Sequence, residues 1–133
     1  MPREQMHIGN AAGFSVDRMD VGGPVADSLI ASGKPSALFY ETLAERTLAI
    51  AQRERRANPE KGYTPDLAGF VGPVLKRCVE SGVPIIGNFG AANPMGAAKR
   101  LHALAKTQGI SGLRVAVVDG DDLREKIRGL QTQ

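Results

Sequence analysis

Short apolar runs alternate with helical patterns along the whole of this 133-residue chain. Four runs have the length and composition of buried strands, and they cover residues 6–9, 37–40, 83–88 and 113–118. After each run, apolar residues recur at helical spacing. Strands that alternate with helices are typical of a parallel sheet with right-handed crossovers. We therefore predict a single α/β domain over residues 1–133, with a mostly parallel open sheet of about four strands and crossover helices on both faces.

The composition agrees with this class of protein. A hydrophobic fraction of 42% and a charged fraction of 23% are ordinary for a globular chain and argue against disorder. The one cysteine, Cys78, lies in the apolar stripe of a predicted helix, where we expect a buried thiol. The N-terminus does not resemble a secretory signal, and no apolar stretch approaches the ~20 residues that span a bilayer. We expect a cytoplasmic protein with no membrane partner.

The net charge of +3 comes largely from one basic run, Arg53, Arg55 and Arg56, with Lys61 close behind. A nucleic-acid groove needs basic residues spread over a face and interleaved with stacking aromatic residues. Here the run falls on the last turn of a predicted helix, where cations suit the helix dipole. We therefore expect a solvated helix end and no nucleic-acid partner, with a phosphate-binding patch as the alternative.

Small and polar residues cluster where the predicted strands end. The carboxyl ends of parallel strands share one edge of an open sheet, and ligands bind in the crevice there. After the first strand, the candidate ligand-binding residues are Gly9, Asn10, Gly13, Asp17 and Arg18. This cluster resembles a phosphate loop only loosely, because it lacks the Gly-Lys-Ser/Thr of a P-loop and the glycine spacing of the dinucleotide fingerprint. A surface ion pair between the aspartate and the arginine is the alternative interpretation.

The third strand is followed by a second candidate ligand-binding cluster: Asn88, Gly90, Ala91 and Asn93. Asn93 is a good N-cap, and Pro94 suits the first position of a helix, so the helix begins at the crevice with free backbone N–H groups. The small residues before it leave room for a ligand. Two interpretations stay open here: an anion or carbonyl-oxygen site, and an N-capped loop with small residues for packing.

The other candidate chemistry is acidic. Glu41 directly follows a buried strand, so a partly desolvated carboxylate there can act as an acid or base, and Glu45 follows one helical turn later. The alternative is that both residues stabilise the first turn of a helix. Arg46, beside them, can pair with a carboxylate or phosphate of a ligand.

Three further carboxylates follow the fourth predicted strand: Asp119, Asp121 and Asp122. Such a set can hold a hard cation, but a turn at Asp119-Gly120 and an N-cap at Asp122 explain two of the three without a metal. We assign no metal site and take Asp119 as a candidate catalytic residue. No Ser-His-Asp or Cys-His pattern is visible, which argues against nucleophilic hydrolysis of a known type.

Together, these clusters resemble the acyclic terpene utilisation (AtuA-type) family in order and spacing. The matching segments cover nearly the whole chain, and the most specific of them are Leu-Ala-Glu-Arg-Thr at 43–47 and Gly-Ala-Ala-Asn-Pro at 90–94. The resemblance implies a bacterial, cytoplasmic α/β domain in the catabolism of acyclic terpenes such as citronellol and geraniol, whose intermediates are branched acyl-CoA thioesters. It implies neither an agreed reaction nor a cofactor. Family members are several times longer, so the resemblance is to their beginning.

We therefore expect a domain that binds or transforms a branched acyl-CoA or a related carboxylated metabolite. Asn88, Asn93 and the backbone around Gly90 would bind oxygen, and Glu41 or Glu45 would move protons. The alternative is a non-enzymatic or truncated module that works only in association with another polypeptide. Because a four-stranded open sheet has two free edges, we expect a homo-oligomer or association with another chain.

Overall fold

The computed structural model describes residues 5–14 and 17–130 and has an open, all-parallel sheet. The sheet has the order β1-β2-β3, with β1 at His7–Gly13, β2 at Ser36–Glu41 and β3 at Ile85–Gly87. The helices are α1 (Gly22–Ala31), α2 (Glu45–Ala57), α3 (Leu67–Glu80), α4 (Pro94–Thr107) and α5 (Arg124–Leu130), and a 3₁₀ turn, Met19–Val21, precedes α1. The predicted parallel α/β class is confirmed.

Helices α1 and α3 pack on the same face of the sheet. The Tyr40 hydroxyl of β2 donates a hydrogen bond to the Phe70 carbonyl of α3 at 3.2 Å. A Cβ on Gly22 of α1 would lie 2.1 Å from that hydroxyl oxygen, so only glycine allows this close approach. Both crossovers run in the same direction across the sheet, and right-handed crossovers of this kind place their helices on one face.

The opposite face of the sheet is largely uncovered in the part of the chain that the structure describes. Ile8 and Ile86 point to this face, since they alternate along their strands with residues that face α1 and α3. Their side chains are 69% and 52% exposed. The prediction of helices on both faces is therefore wrong for the described residues.

The core lies between the sheet and α3. The predicted apolar stripe of α3 is confirmed, and its buried members are Leu67, Phe70, Val71, Val74, Leu75 and Cys78. Pro73 lies inside α3 without ending it. The rings of Tyr40, Phe70 and Phe89 pack together with centroids 5.3 to 6.0 Å apart. Burial raises the pKa of the Cys78 thiol, which fits the expected unreactive role.

The glycine-rich segment after the first predicted strand is itself strand. β1 continues to Gly13, with a bulge in its pairing to β2 between Asn10 and Ala12. A Cβ on Gly9 would lie 2.4 Å from Val25 Cγ1 of α1. The glycine therefore lets the helix approach the strand rather than turning the chain. The segment is strand and not a glycine-rich turn, and a ligand-binding role for Gly9, Asn10 and Gly13 stays a prediction.

The fourth predicted strand, residues 113–118, forms no ladder with the described strands. Its side chains nevertheless alternate between half-buried and exposed, as in a strand with one covered face. The neighbouring edge at β3 offers only Ile85–Gly87, and Pro84 before it has no N–H to donate. The described sheet accordingly has three strands instead of about four.

Candidate ligand site at the carboxyl edge of the sheet

The structure brings candidate residues from all three strands to one edge. Gly13 is the register partner of Glu41, so β1 and β2 end side by side. Asn88 is the first residue after β3. The expectation that the carboxyl ends of the strands collect polar residues is met at Glu41 and Asn88.

Asn88 ties the end of β3 to the end of β2. Its Nδ2 donates to Glu41 Oε1 at 2.9 Å, and its Oδ1 accepts from the Thr42 backbone N–H at 2.7 Å and from the Thr42 hydroxyl at 3.2 Å. The Leu43 N–H donates to the same Glu41 oxygen at 2.8 Å. Because Thr42 is buried, these bonds fix the carboxylate firmly at the sheet edge.

The Glu41 carboxylate is held through one oxygen and is half-buried. Both of the hydrogen bonds described above reach Oε1, so Oε2 is the oxygen oriented for a further partner. Phe14 follows the register partner of Glu41, and its side chain is 55% exposed. The edge therefore combines a positioned proton acceptor with an accessible apolar ring.

Asp17 and Arg18 form two separate local structures. The Asp17 carboxylate accepts from the N–H groups of Gly13 at 3.1 Å and Arg18 at 2.9 Å, and these bonds lower its pKa. The Arg18 guanidinium forms a two-pronged pair with Asp20 at 2.9 and 2.6 Å, which raises the pKa of the arginine. Arg18 therefore pairs with Asp20 and not with Asp17, the partner in the alternative interpretation.

Asn93 is buried and its side chain bonds in three directions within the protein. Its Oδ1 accepts from the Gly96 N–H at 3.0 Å, which confirms the predicted N-cap of α4. Its Nδ2 donates to the carbonyl oxygens of Pro59 at 3.0 Å and Lys61 at 2.9 Å. The side chain thereby joins the start of α4 to the loop between α2 and α3.

The backbone of the loop from Asn88 to Asn93 is also bonded internally. The N–H of Ala91 donates to the Asn88 carbonyl, that of Ala92 to the Gly62 carbonyl, and that of Asn93 to the Gly90 carbonyl. A Cβ on Gly90 would lie 2.7 Å from Pro94 Cα, so the loop needs glycine there. These N–H groups are used by the protein, and a ligand-binding role for Gly90, Ala91 and Asn93 stays a prediction.

A family model described as "Acyclic terpene utilisation family protein AtuA" matches residues 6–133. The chain belongs to this family. A comparison with curated proteins gave no match, and neither did one with solved structures. Among the helices that the structure describes, none is long and apolar enough to cross a membrane.

The other candidate residues of this AtuA-family chain lie apart from Glu41 and Asn88. Asn10 is exposed on the uncovered face of the sheet, and Glu45 and Arg46 are exposed in the first turn of α2. Asp119 is exposed beyond the unpaired segment 113–118. Their roles in binding or catalysis stay predictions.

The acidic run of the AtuA-family chain forms no metal centre in the described residues, where no group of three His, Cys, Asp or Glu side chains could hold an ion. Asp122 instead pairs with Arg124, whose guanidinium donates to its two oxygens at 2.7 and 2.5 Å. This pair lowers the pKa of Asp122 to about 2. The Arg124 N–H also donates to Asp122 Oδ1 at 3.3 Å, consistent with the predicted role at the start of the last helix.

Sequence reasoning missed two residues that build the site. Thr42 is nearly fully buried, and its backbone N–H donates a hydrogen bond to Asn88 Oδ1. Nothing in its local sequence pattern distinguishes it from a solvated turn residue. Arg55 donates from Nη1 to the Ala92 carbonyl, whereas the basic run was expected to be solvated. The sequence signal for this contact is that Arg55 lies four residues after the buried Ala51, because residues four apart share a helix face.

Proposed function

We propose that this AtuA-family domain binds or transforms a branched acyl-CoA, or a related carboxylated metabolite of terpene catabolism, at the carboxyl edge of its sheet. The observation that supports the proposal is the Glu41 carboxylate, fixed through Oε1 by Asn88 and Leu43 and half-exposed where the strands end. Open α/β sheets bind their ligands at this edge. Membership of the acyclic terpene utilisation family supports the terpene-related substrate class.

In this proposal each residue has a chemical role. Glu41 gives or takes a proton at a carbon or oxygen activated by the thioester carbonyl, which general acid–base catalysis requires of a carboxylate within hydrogen-bond reach. Asn88 is a positioning residue that acts through Glu41. Phe14 offers an apolar surface to the branched hydrocarbon chain, and Arg46 offers a charge for a carboxylate or phosphate of the ligand.

A second candidate function is a non-enzymatic module that works in association with another polypeptide. The observation that favours it is the uncovered sheet face, where Ile8 and Ile86 are 69% and 52% exposed. Exposed large apolar side chains on a sheet face are suited to contact with another polypeptide. This candidate predicts that the domain alone has no measurable affinity for the metabolite.

Calorimetric titration separates the two candidates. We expect a branched acyl-CoA to bind more tightly than free coenzyme A, and Phe14→Ala to reduce that difference because it removes an apolar contact. Glu41→Gln should change the affinity for the acyl-CoA, whereas the matched variant Glu60→Gln, in the exposed loop after α2, should leave it unchanged. Equal, weak binding of both ligands to the wild type would contradict the metabolite-binding proposal and favour the associated module.

A further inference from the structure

Strand β1 has a free edge, which is interrupted by the bulge between Asn10 and Ala12 but carries no charged residue or proline. The sheet order places β2 on one side of β1, and none of the described strands lies on the other side. Natural edge strands avoid pairing with other chains through charged residues, proline or short length. β1 has seven residues, and its sequence HIGNAAG contains no Asp, Glu, Lys, Arg or Pro. The opposite edge, β3, is protected by its three-residue length and by Pro84 before it.

A groove accompanies this free edge. A cavity of about 590 Å³ opens between β1 and α1, and its lining includes His7, Ile8, Val25, Ser28 and Leu29. An edge strand beside a helix is the geometry in which an extended segment adds to a sheet, with main-chain bonds to the strand and side chains in the groove. Val25 and Leu29 of α1 provide the apolar side chains of this groove.

The same chain carries a segment suited to the groove. Residues 113–118 have the sequence LRVAVV, alternate between half-buried and exposed side chains, and form no ladder with the described strands. Val118 is 91% exposed. Leu113 packs against the core of its own chain, but the valine-rich run after it favours a strand and has no partner among the described strands.

Residues 113–118 cannot easily reach β1 of their own chain. α1 packs on α3 and α3 packs on α4, so α4 lies on the far side of the helical layer from α1. The Gln108 amide, just after α4, donates to the Gly72 carbonyl of α3 at 2.9 Å, which anchors the chain there. A strand added to the free edge of β1 would lie three strand spacings from β3, about 14 Å across the sheet. A second copy has no such constraint.

We propose that residues 113–118 of one copy add as a strand to the free edge of β1 in a second copy, and that reciprocal exchange gives a two-fold dimer. Charge indicates that the added strand is antiparallel. In that orientation Asp119 and Asp121 approach Lys34, which lies near the start of β1 because the His7 N–H donates to the Pro35 carbonyl at 2.8 Å. A parallel strand would bring the same carboxylates toward Asp17 and Asp20.

Proline substitutions in the donated segment test the proposal by sedimentation equilibrium of the whole chain. Successive N–H groups of a strand point to opposite edges, so one of Ala116→Pro and Val117→Pro must remove a ladder bond. We expect that variant to raise the dimer dissociation constant at least ~10-fold. The controls Ala116→Ser and Val117→Thr keep the N–H group and should leave the dimer intact.

A peptide competition provides the second arm, which does not depend on the folding of a variant. An excess of a synthetic peptide of residues 112–120 should convert wild-type dimer to monomer, and the same peptide with proline at 116 and 117 should not. A wild-type chain that stays monomeric at millimolar concentration overturns the proposal. So does a dimer that survives both proline variants or is unaffected by the peptide.

Discussion

The buried Asn93 side chain offers a sharp test of how the site loop is held. Substitution of Asn93 by aspartate keeps the Oδ1 acceptor that caps α4 at the Gly96 N–H. It replaces the Nδ2 donor with an oxygen that faces two carbonyl oxygens, those of Pro59 and Lys61. From sequence alone this substitution is neutral for stability, because aspartate and asparagine are equally good N-caps. The structure predicts the opposite.

The cost follows from the bonds that each variant loses. Asn93→Ala loses the cap, at about 1 kcal/mol, and two further hydrogen bonds of about 1 kcal/mol each, so we expect a loss of about 3 kcal/mol in the free energy of unfolding. Asn93→Asp keeps the cap but places a charge against two acceptors, and we expect a loss of at least about 2 kcal/mol at pH 7. The alanine and aspartate variants should thus both be clearly destabilised.

The aspartate variant should also show a diagnostic pH dependence. Proximity to two carbonyl oxygens disfavours the charged form and raises the pKa of the new carboxyl group in the folded state. When the carboxyl pKa is higher in the folded state, the protonated group destabilises the fold least at low pH. Stability is then lost as the pH rises from the pKa of the unfolded state, about 3.9, through the pKa of the folded state. Relative to wild type, Asn93→Asp should therefore be less destabilised at pH 4 than at pH 7.

Urea denaturation at both pH values measures these effects. Asn58→Asp is the matched control, because Asn58 is exposed and its Oδ1 accepts only a local bond from the Glu60 N–H at 3.0 Å. We expect the control to lower the free energy of unfolding by no more than about 1 kcal/mol, because its new charge lies at the C-terminal end of α2. If Asn93→Asp were as stable as the control at pH 7, the assigned orientation and importance of the Asn93 amide would be refuted.

Three further predictions concern backbone strain and ionisation. Ala91 has a φ of 44°, in the left-handed region, so Ala91→Gly should raise the free energy of unfolding by up to about 1 kcal/mol in a urea melt, and a loss of stability would contradict the assigned strain. Burial raises the pKa of Tyr40 to about 12, so ionisation of the unfolded chain above pH 10 should cost about 2 kcal/mol of stability by pH 12, a loss that Tyr40→Phe should remove in alkaline melts. The pKa of Asp17 is lowered by N–H donors, so its contribution to stability is present above the unfolded pKa and is lost as the pH falls; Asp17→Asn should flatten that part of an acid titration, and an unchanged titration would argue against these bonds.

The sheet and most helices were predictable because their signals are local. The apolar stripe of α3 and the Asn93-Pro94 start of α4 depend on residues close in sequence, and the structure confirms both. The segment from Gly9 to Gly13 was assigned to a turn because glycine usually interrupts a strand. The reason for glycine at position 9 is a long-range contact: α1 packs so closely on β1 that Gly9 cannot carry a side chain.

The location of the candidate site was predictable from the sequence, but its hydrogen-bond partners were not. The rule that parallel strands share a carboxyl edge was enough to bring Glu41 near Asn88. The partners of Asn93 were not predictable, since they are backbone carbonyls of Pro59 and Lys61, and any residue in that loop could have supplied them. The pairing of residues 113–118 also depends on which sheet edge is available, a property of the whole fold.

The central claim, that the metabolite binds at the carboxyl edge beside Glu41, is tested most directly by amide chemical shifts. Titration of the isotope-labelled chain with a branched acyl-CoA should shift the backbone amides of Phe14, of residues 41–43 and of residues 88–90. The amides of α3 residues that face the core should stay unchanged and serve as the internal reference. Saturable shifts confined to this edge are the result that we predict. Saturable shifts centred elsewhere, or no shifts at ligand concentrations well above that of the protein, would contradict the claim.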